Sequence, residues 1–250
     1  MEWNGGVCQG YHGACLRVVA LSVGWSLYQG LYGGALESFG GLLDHFHAEY
    51  PDNPVLVTEF GADADVRLHS FQPRRFDFTV EYATLYHSHY FTEILKRPFV
   101  AGASVWNLCD FHSETRGDAV PHINAKGLMA LDRTLKEPYL FYQSRLAERP
   151  VVSIGCRNWL HRAGVDDGTG TSPQPVRIFS NADEVSLIFN GERLGRFRVE
   201  NGSVEVQVPF VDGENVLQAV IRTGEQSWQS DFYRCDFRMV PARVDSPDFS

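Results

Sequence analysis

The chain has 250 residues, 44% of them hydrophobic and 13% aromatic, which is enough apolar material for one large domain or two smaller ones. Its formal charge is −9 at pH 7 and its pI is near 5.4. Neutralising phosphates requires clustered Lys and Arg, so this charge argues against a nucleic-acid partner. The composition is compatible with neutral or mildly charged small molecules as ligands.

No cofactor, metal or membrane segment is expected from the sequence. The five cysteines (Cys8, Cys15, Cys109, Cys156 and Cys235) are scattered, and their spacing fits neither a disulfide framework nor a zinc site. No run of 18 or more apolar residues is present, and the first residues lack the basic-then-apolar order of a signal peptide. No membrane partner is therefore expected, and the localisation stays open.

Short apolar runs alternate with helical patterns in the first half of the chain. The runs at 16–25, 54–60 and 99–111 predict strands. Helical spacing of apolar residues predicts helices within 35–51, 79–98 and 135–150. This alternation is typical of βα units around a parallel sheet. In the second helix Tyr82, Tyr86, Tyr90 and Ile94 form an i, i+4 stripe, which Leu85 and Leu95 are expected to widen.

The second half changes to a period of two. Residues 161–177 are rich in Gly, Pro, Asp, Ser and Thr and are interpreted as a connecting loop. Short alternating runs separated by Asn-Gly and Asp-Gly turns follow and predict a small antiparallel β-sandwich. The predicted domains are 1–150, a linker at 151–175, the sandwich at 176–240 and a tail at 241–250.

One carboxylate, Glu59, ends the apolar run "PVLVTEF", and the next predicted strand ends with Trp106, Asn107 and Asp110. In βα barrels the catalytic residues lie at the carboxyl ends of the strands, so these side chains are expected on one face. A carboxylate beside an indole suits a sugar-cleaving site, because the indole stacks on the pyranose while the carboxylate attacks the anomeric carbon. The alternative for Glu59 is a structural ion pair with Arg74 or Arg75.

Three segments resemble glycoside hydrolase family 2, the β-galactosidases and β-glucuronidases. They are "PVLVTEFGAD", "VAGASVWNLCDF" and "PHINAKGLMALDRTLKEPYLFYQSRL", and their order and spacing are similar to those of the family's barrel domain. The resemblance spans roughly residues 18–150, and the predicted sandwich resembles the immunoglobulin-like domain that follows the barrel. It implies an α/β plus all-β fold, namely the last three βα units of a TIM barrel followed by a small immunoglobulin-like β-sandwich.

The resemblance also implies roles for five residues. Glu59 matches the family's nucleophile, Tyr28 matches a tyrosine that hydrogen-bonds that nucleophile, and Trp106 matches the sugar-platform tryptophan. Asn124 and Lys126 resemble the Asn-x-Lys pair with which β-glucuronidases hold the substrate carboxylate. Alternatively, Lys126 bridges to a carboxylate beneath its own loop.

Two departures from the family shape the functional hypothesis. A whole TIM barrel takes roughly 250 residues, whereas only three strand–helix units precede the predicted sandwich here. In addition, the Asn-Glu pair that supplies the family's acid/base occurs nowhere in the sequence. Glu114 and Asp110 are interpreted as a loop charge and a structural acceptor, without catalytic roles. Exposed edges of a partial barrel are expected to associate, for instance in a homo-oligomer.

The resulting hypothesis is a retaining, exo-acting glycosidase lineage that hydrolyses terminal β-galactosides or β-glucuronides, with a carbohydrate substrate as partner. The alternative is a non-catalytic carbohydrate-binding or assembly module. Turnover that is lost on Glu59→Gln distinguishes the first hypothesis from the second.

Overall fold

A computed structural model describes residues 23–225 and 227–241 of the chain, with side chains from Ser26 onward. The chain divides into two compact units between Pro138 and Tyr139. The helix predicted at 135–150 was assigned to the first domain, but the division places most of this helix in the second unit. Among the described residues, no helix combines the length and apolar character needed to cross a lipid bilayer.

The first unit contains a three-stranded parallel sheet. Its strands are β1 (Val23–Ser26), β2 (Val55–Phe60) and β3 (Val100–Val105), in the order β1-β2-β3. The parallel βα arrangement predicted for this half is confirmed. Residues 16–22 of the predicted first strand lie outside the described residues.

The third predicted strand, 99–111, is shorter in the structure. It ends at Val105, and a separate antiparallel pair follows, made of β4 (Phe111–His112) and β5 (Ile123–Asn124). The chain between β3 and β4 therefore runs as a loop across the carboxyl end of the sheet, where it carries Trp106 and Asp110.

Two helices pack against one face of the parallel sheet. A short 3₁₀ turn, Leu36–Ser38, leads into α1 (Phe39–Glu49), and α2 covers Val80–Leu95. The side chain of Thr79 caps α2 by accepting a hydrogen bond from the Tyr82 amide at 3.1 Å. Both helices were predicted from their apolar spacing.

The tyrosine stripe of α2 is part of the core of this unit. Tyr86 and Tyr90 are fully buried and stack with ring centroids 4.3 Å apart. The expectation that Leu85 and Leu95 widen this stripe was wrong, because they are 41% and 61% exposed. The buried residues of the core are Leu27, Leu31, Leu36, Phe39, Leu43, Val55, Val57, Phe60, Ala62, Ala64, Ala83, Tyr86 and Tyr90.

The second unit begins within helix α3 (Glu137–Leu146) and continues as eight strands. They are β6 (Val152–Ile154), β7 (His161–Val165), β8 (Ser172–Ser180), β9 (Glu184–Phe189), β10 (Glu192–Arg198), β11 (Ser203–Phe210), β12 (Gly213–Arg222) and β13 (Trp228–Val240). One sheet has the order β10-β9-β12-β13-β7 and the other β11-β8-β6. Apolar side chains from both sheets share one core, as the alternating pattern predicts.

Asn-Gly turns connect the strands where the sequence predicts them. Asn190 and Gly191 join β9 to β10, and Asn201 and Gly202 join β10 to β11, all four with positive φ angles between 49° and 87°. Positive φ at both central residues is what type I′ hairpin turns require.

The predicted linker at 151–175 is corrected by the structure. It contains β6, β7 and the start of β8, and only residues 166–171 connect the last two. The Gly, Asp and Thr content of this short connection dominated the composition of the whole stretch. The predicted loop at 161–177 is wrong for the same reason.

Candidate active site

Glu59 lies in an irregular stretch of β2. Val57 pairs with Trp25 and Glu59 pairs with Ser26, so Thr58 is skipped in the register with β1. The register with β3 shifts at the same place, between Val57 and Phe60. Such a bulge re-aims the following side chain. It explains why Val57 and Phe60 are both buried while Glu59, between them, is only partly buried.

Backbone hydrogen bonds fasten the carboxyl ends of the three strands around Glu59. The Glu59 carbonyl accepts from the Leu27 amide at 2.9 Å, and the Phe60 carbonyl accepts from the Trp106 amide at 2.8 Å. Gly61 lies so close to Trp106 that an added Cβ would come within 2.0 Å of its carbonyl oxygen. Only glycine permits this approach, which brings the Trp106 segment next to the end of β2.

Tyr28 is the hydrogen-bond partner of Glu59. Its hydroxyl donates to Oε2 of Glu59 at 3.1 Å. Burial, followed by the nearby Glu59 charge, raises the pKa of Tyr28 well above its usual value, so the phenol keeps its proton. Tyr28 also lines a cleft of about 280 Å³ together with Ser26, Gln29 and Tyr32.

Trp106 presents an accessible indole. It is 36% exposed, and its ring meets Phe111 edge to face at a centroid distance of 6.2 Å. The indole therefore packs against Phe111 and still exposes part of its surface to solvent. This is the arrangement that a stacking platform for a sugar needs.

Lys126 is buried and forms an ion pair. Its ammonium group donates to Oδ2 of Asp63, and both side chains are almost fully buried. Asp63 also accepts two hydrogen bonds from Nη2 of Arg116, at 3.0 and 3.2 Å. Nη2 of Arg116 also lies 3.1 Å from Oδ2 of Asp118. Two cations and two carboxylates thus form an ion-pair cluster with no net formal charge.

Tyr32 connects this ion-pair cluster to Tyr28. Its hydroxyl accepts from Nη1 of Arg116 at 3.0 Å, and the Lys126 ammonium lies 5.0 Å from its ring centroid. The rings of Tyr28 and Tyr32 are 5.3 Å apart. Contacts therefore run without interruption from Glu59 through two tyrosines to Asp63, Lys126 and Arg116.

Asn124 is buried beside Lys126 and shapes its turn. Its Oδ1 accepts a hydrogen bond from the Lys126 amide at 3.3 Å. The turn is further fixed by Lys136, which donates to the carbonyls of Ala125 and Ala64 at 3.0 and 2.9 Å. The loop after β5 is thereby joined to the loop after β2.

Asp110 is a structural acceptor. Its Oδ1 accepts from Lys136 and from the Gly127 amide, both at 2.8 Å. Burial raises the pKa of Asp110 and lowers the pKa of Lys136, while their mutual attraction opposes both changes. Glu114 is exposed, and its carbonyl bonds to the His122 ring.

The structural ion pair considered for Glu59 is not found within the described part of the chain. Arg75 donates to the Gly34 carbonyl at 2.8 Å, and the Arg74 amide bonds to Asp77. The structure brings Tyr28 and Glu59 into contact and places Trp106 on the neighbouring loop. It pairs Lys126 with Asp63, which is the bridging alternative raised from the sequence.

Asp63, Arg116 and Tyr32 were missed by the sequence reasoning. Asp63 stands in the same "PVLVTEFGAD" stretch as Glu59, four residues later, where a second carboxylate after a strand was a usable signal. Arg116 and Tyr32 carry no comparable signal, since they reach the cluster from loops distant in sequence.

Comparison with known proteins places this chain in a glycoside hydrolase lineage. The chain is 28% identical over 214 residues to a β-glucuronidase of Bacteroides fragilis, covering 81% of this chain. It superposes on the crystal structure of a Bacteroides uniformis β-glucuronidase with a TM-score of 0.84 and 39% identity over 89% of this chain. Its homologues are β-glucuronidases and β-galactosidases of glycoside hydrolase family 2. The resemblance stated from the sequence is confirmed.

These glycoside hydrolase relatives are much longer than this chain. It spans 30% of the Bacteroides fragilis enzyme and 26% of the Bacteroides uniformis structure. A putative β-galactosidase from Bacteroides fragilis shares the fold at 24% identity, with a TM-score of 0.74. Residues 171–229 match a family model described as a domain of unknown function, DUF4982.

Proposed function

We propose that this chain carries the nucleophile side of a retaining, exo-acting β-glycosidase site, with Glu59 as the nucleophile. The observation that carries the proposal is the hydrogen bond from Tyr28 to Oε2 of Glu59, at the carboxyl end of a parallel strand and next to the Trp106 loop. A carboxylate held by one oxygen has its other oxygen, Oε1, available for attack.

In this mechanism Oε1 of Glu59 attacks the anomeric carbon from the face opposite the leaving group. A bond forms between them while the glycosidic C–O bond breaks, and the electron pair leaves with the aglycone oxygen, which takes a proton from a general acid. Water then attacks the same carbon, gives a proton to the conjugate base of that acid and frees Glu59. Tyr28 orients the carboxylate throughout, and Trp106 stacks on the sugar.

The site occupies part of a larger barrel in this proposal. Parallel order β1-β2-β3, with helices after β1 and β2, supports the last three βα units of a TIM barrel. Two sheets sharing one core support an immunoglobulin-like second unit. The remaining barrel strands would pair with the outer edges of β1 and β3, and without those strands association through these edges is proposed instead.

The ion-pair cluster supports a uronic acid as the sugar. Its two carboxylates balance Lys126 and Arg116, but the Arg116 guanidinium is partly accessible and is the type of group that binds a carboxylate, with Asn124 beside Lys126. The Bacteroides uniformis relative is described as covalently bound to cyclophellitol-6-carboxylate aziridine, a ligand with a carboxylate. Terminal β-glucuronides are therefore preferred here over β-galactosides.

The general acid is proposed to come from a part of the relatives that this chain does not match. Retaining enzymes need a second carboxyl group about 5 to 5.5 Å from the nucleophile. The loop carboxylates Asp63 and Asp110 are both committed to buried lysines. Because these ion pairs leave neither carboxylate available as the general acid, they favour one alternative, a non-catalytic carbohydrate-binding or assembly module.

A trapping experiment separates the nucleophile from the missing acid. The 2-deoxy-2-fluoro-β-glucuronyl and -galactosyl fluorides need little acid assistance because fluoride leaves readily, and they form a stable ester with a retaining nucleophile. The chain is incubated with each, and intact mass and peptide mapping locate the label. Glu59→Gln removes the nucleophile with little change in shape, and Glu49→Gln, at an exposed helix end, is the matched control.

We expect labelling at Glu59 by the glucuronyl reagent, retained in Glu49→Gln and lost in Glu59→Gln. Preferential labelling by the galactosyl reagent would assign the other sugar. If a folded chain is labelled by neither reagent but binds sugar, the non-catalytic alternative is supported instead.

A further inference from the structure

A second cleft lies within the second unit, remote in sequence from the proposed catalytic residues. Its volume is about 630 Å³, within the range of about 300–1,000 Å³ typical of small-molecule sites. Every described residue that lines it belongs to the unit that starts at Tyr139. The buried side chains of Val151 and Val152 contribute to its floor.

An exposed tryptophan lines this cleft. Trp228, the first residue of β13, is 60% exposed. The guanidinium of Arg222 lies 5.8 Å from the indole centroid and is itself held by the carbonyls of Gly224 and Glu225, both at 2.8 Å. The indole thus has a fixed neighbour on the adjacent strand and keeps most of its surface open to a ligand.

Polar side chains with unused hydrogen-bonding capacity surround the indole. Gln143, Arg149, Ser153 and Gln229 line the cleft, and their side chains make no hydrogen bond to any other described residue. A glutamine amide both donates and accepts, and a serine hydroxyl does the same. Such groups match the paired hydroxyls of a sugar, while the indole matches its apolar face.

The positive charge of Arg149 indicates which class of ligand the cleft binds. Arg149 is the only charged residue among the described residues that line it, in a chain whose net formal charge is −9. An unpaired guanidinium binds a carboxylate through two parallel hydrogen bonds. The cleft therefore presents a stacking surface, neutral hydrogen-bonding groups and one carboxylate-binding group.

We infer that this cleft is a second carbohydrate-binding site, specific for saccharides that carry a carboxylate. Trp228 stacks on one sugar ring, Gln143 and Gln229 bind hydroxyls, and Arg149 binds the carboxylate of a uronic acid. The site binds an acidic saccharide without chemistry and uses none of the residues proposed for catalysis.

Calorimetric titration of the whole chain with two acidic probes tests this inference, one a hyaluronan tetrasaccharide and the other a galacturonate tetramer. Cellotetraose is the neutral comparison. Trp228→Ala removes the stacking surface, with Phe232→Ala as the matched control on the same strand, 57% exposed and outside the cleft. Arg149→Gln is matched by Arg198→Gln, an exposed arginine on β10.

We expect at least one acidic probe to bind, with affinity about tenfold weaker in Trp228→Ala and unchanged in Phe232→Ala. Arg149→Gln should weaken acidic binding about fivefold at low salt, bringing it close to cellotetraose, and Arg198→Gln should not. Binding that survives Trp228→Ala but is lost in Trp106→Ala would overturn the inference by placing the ligand at the first site. Absence of binding by both acidic probes would overturn it as well. Failure of Glu59 labelling has no bearing on these outcomes.

Discussion

The two units bury charge very differently. Among the described residues, the first unit buries six Asp, Glu or Lys side chains, whereas the only such side chain or Arg that the second buries is Arg162. The six are Asp63, Asp65, Asp110, Lys126, Lys136 and Glu137. The second unit instead fills the space between its two sheets with apolar side chains.

The difference indicates where each unit obtains its stability. Burying a charge costs several kcal/mol (about 3 or more) unless a partner compensates it, so charged networks are weak sources of stability. In the first unit Lys126 is compensated by Asp63, and Lys136 by Asp110. These pairs fix the loops beyond the parallel strands, where the proposed catalytic residues lie, whereas the second unit relies on apolar burial.

Removal of a buried carboxylate from the first unit should have the largest effect. Asp63→Ala leaves the Lys126 ammonium buried and unpaired, so we expect it to destabilise the fold by about 3–5 kcal/mol. Denaturant unfolding measures the change. Glu214→Ala removes a carboxylate from an exposed pair with Arg234 in the second unit and should cost less than about 1 kcal/mol. Equal losses in the two variants would contradict the comparison.

Truncation of an apolar side chain is the corresponding test for the second unit. Ile178 on β8 is fully buried, so Ile178→Ala should cost about 2–5 kcal/mol through the cavity it leaves. Hydrogen exchange should show lost protection in β8 and β11, which pair along their length. Leu160→Ala, 53% exposed, is the control. Equal loss of protection in β2 would show that the two cores do not unfold separately.

The sequence predicted those parts of the fold that depend on local patterns. An Asn-Gly turn and alternating residues set the β9–β10 hairpin locally, and a second Asn-Gly turn leads from β10 in one sheet to β11 in the other. The linker was wrong because β7 is a strand only through its parallel pairing with β13, in which His161 lies opposite Asp236. A pairing over that sequence distance leaves little local signal.

The same distinction applies to the site. Glu59 and Tyr28 were selected from short motifs, and the structure brings them into contact. The bulge at Thr58 was not foreseeable, because regular alternation would have placed Glu59 on the buried face of Val57. Arg116 reaches Asp63 across 53 positions, a contact that only the folded loops create.

Acidification should weaken the first unit through His87. Full burial, followed by the nearby Lys136 charge, lowers the pKa of His87 to about 3. The unfolded chain binds this proton near pH 6.5, so the stabilisation is fully present above that pH and is lost as the pH falls towards 3. We expect a loss of about 1.4 kcal/mol per pH unit within this window, about 2 kcal/mol by pH 5.

Denaturant unfolding at several pH values measures this slope. His87→Gln should flatten it, whatever its effect on stability at neutral pH. His161→Gln changes an exposed histidine of the second unit, with 86% of its side chain accessible, and should leave the slope unchanged. If stability still falls with pH at the same rate in His87→Gln, other groups cause the acid sensitivity. The two units would then not differ through a buried histidine.

The smallest effect on stability is expected from Tyr28→Phe, which deletes only the hydroxyl that donates to Glu59 at 3.1 Å. The carboxylate is partly exposed and can bind water instead, so the loss should stay below about 1.5 kcal/mol. Trapping at Glu59 should slow about tenfold, or about 1.4 kcal/mol in activation free energy, because the carboxylate is no longer held for attack. Tyr32→Phe removes the matched hydroxyl bound to Arg116 and leaves the bond to Glu59 in place. If both variants trap at the wild-type rate, Tyr28 only fills space beside Glu59. If both slow equally, the orientation of Glu59 depends on all the contacts from Tyr28 to the ion-pair cluster.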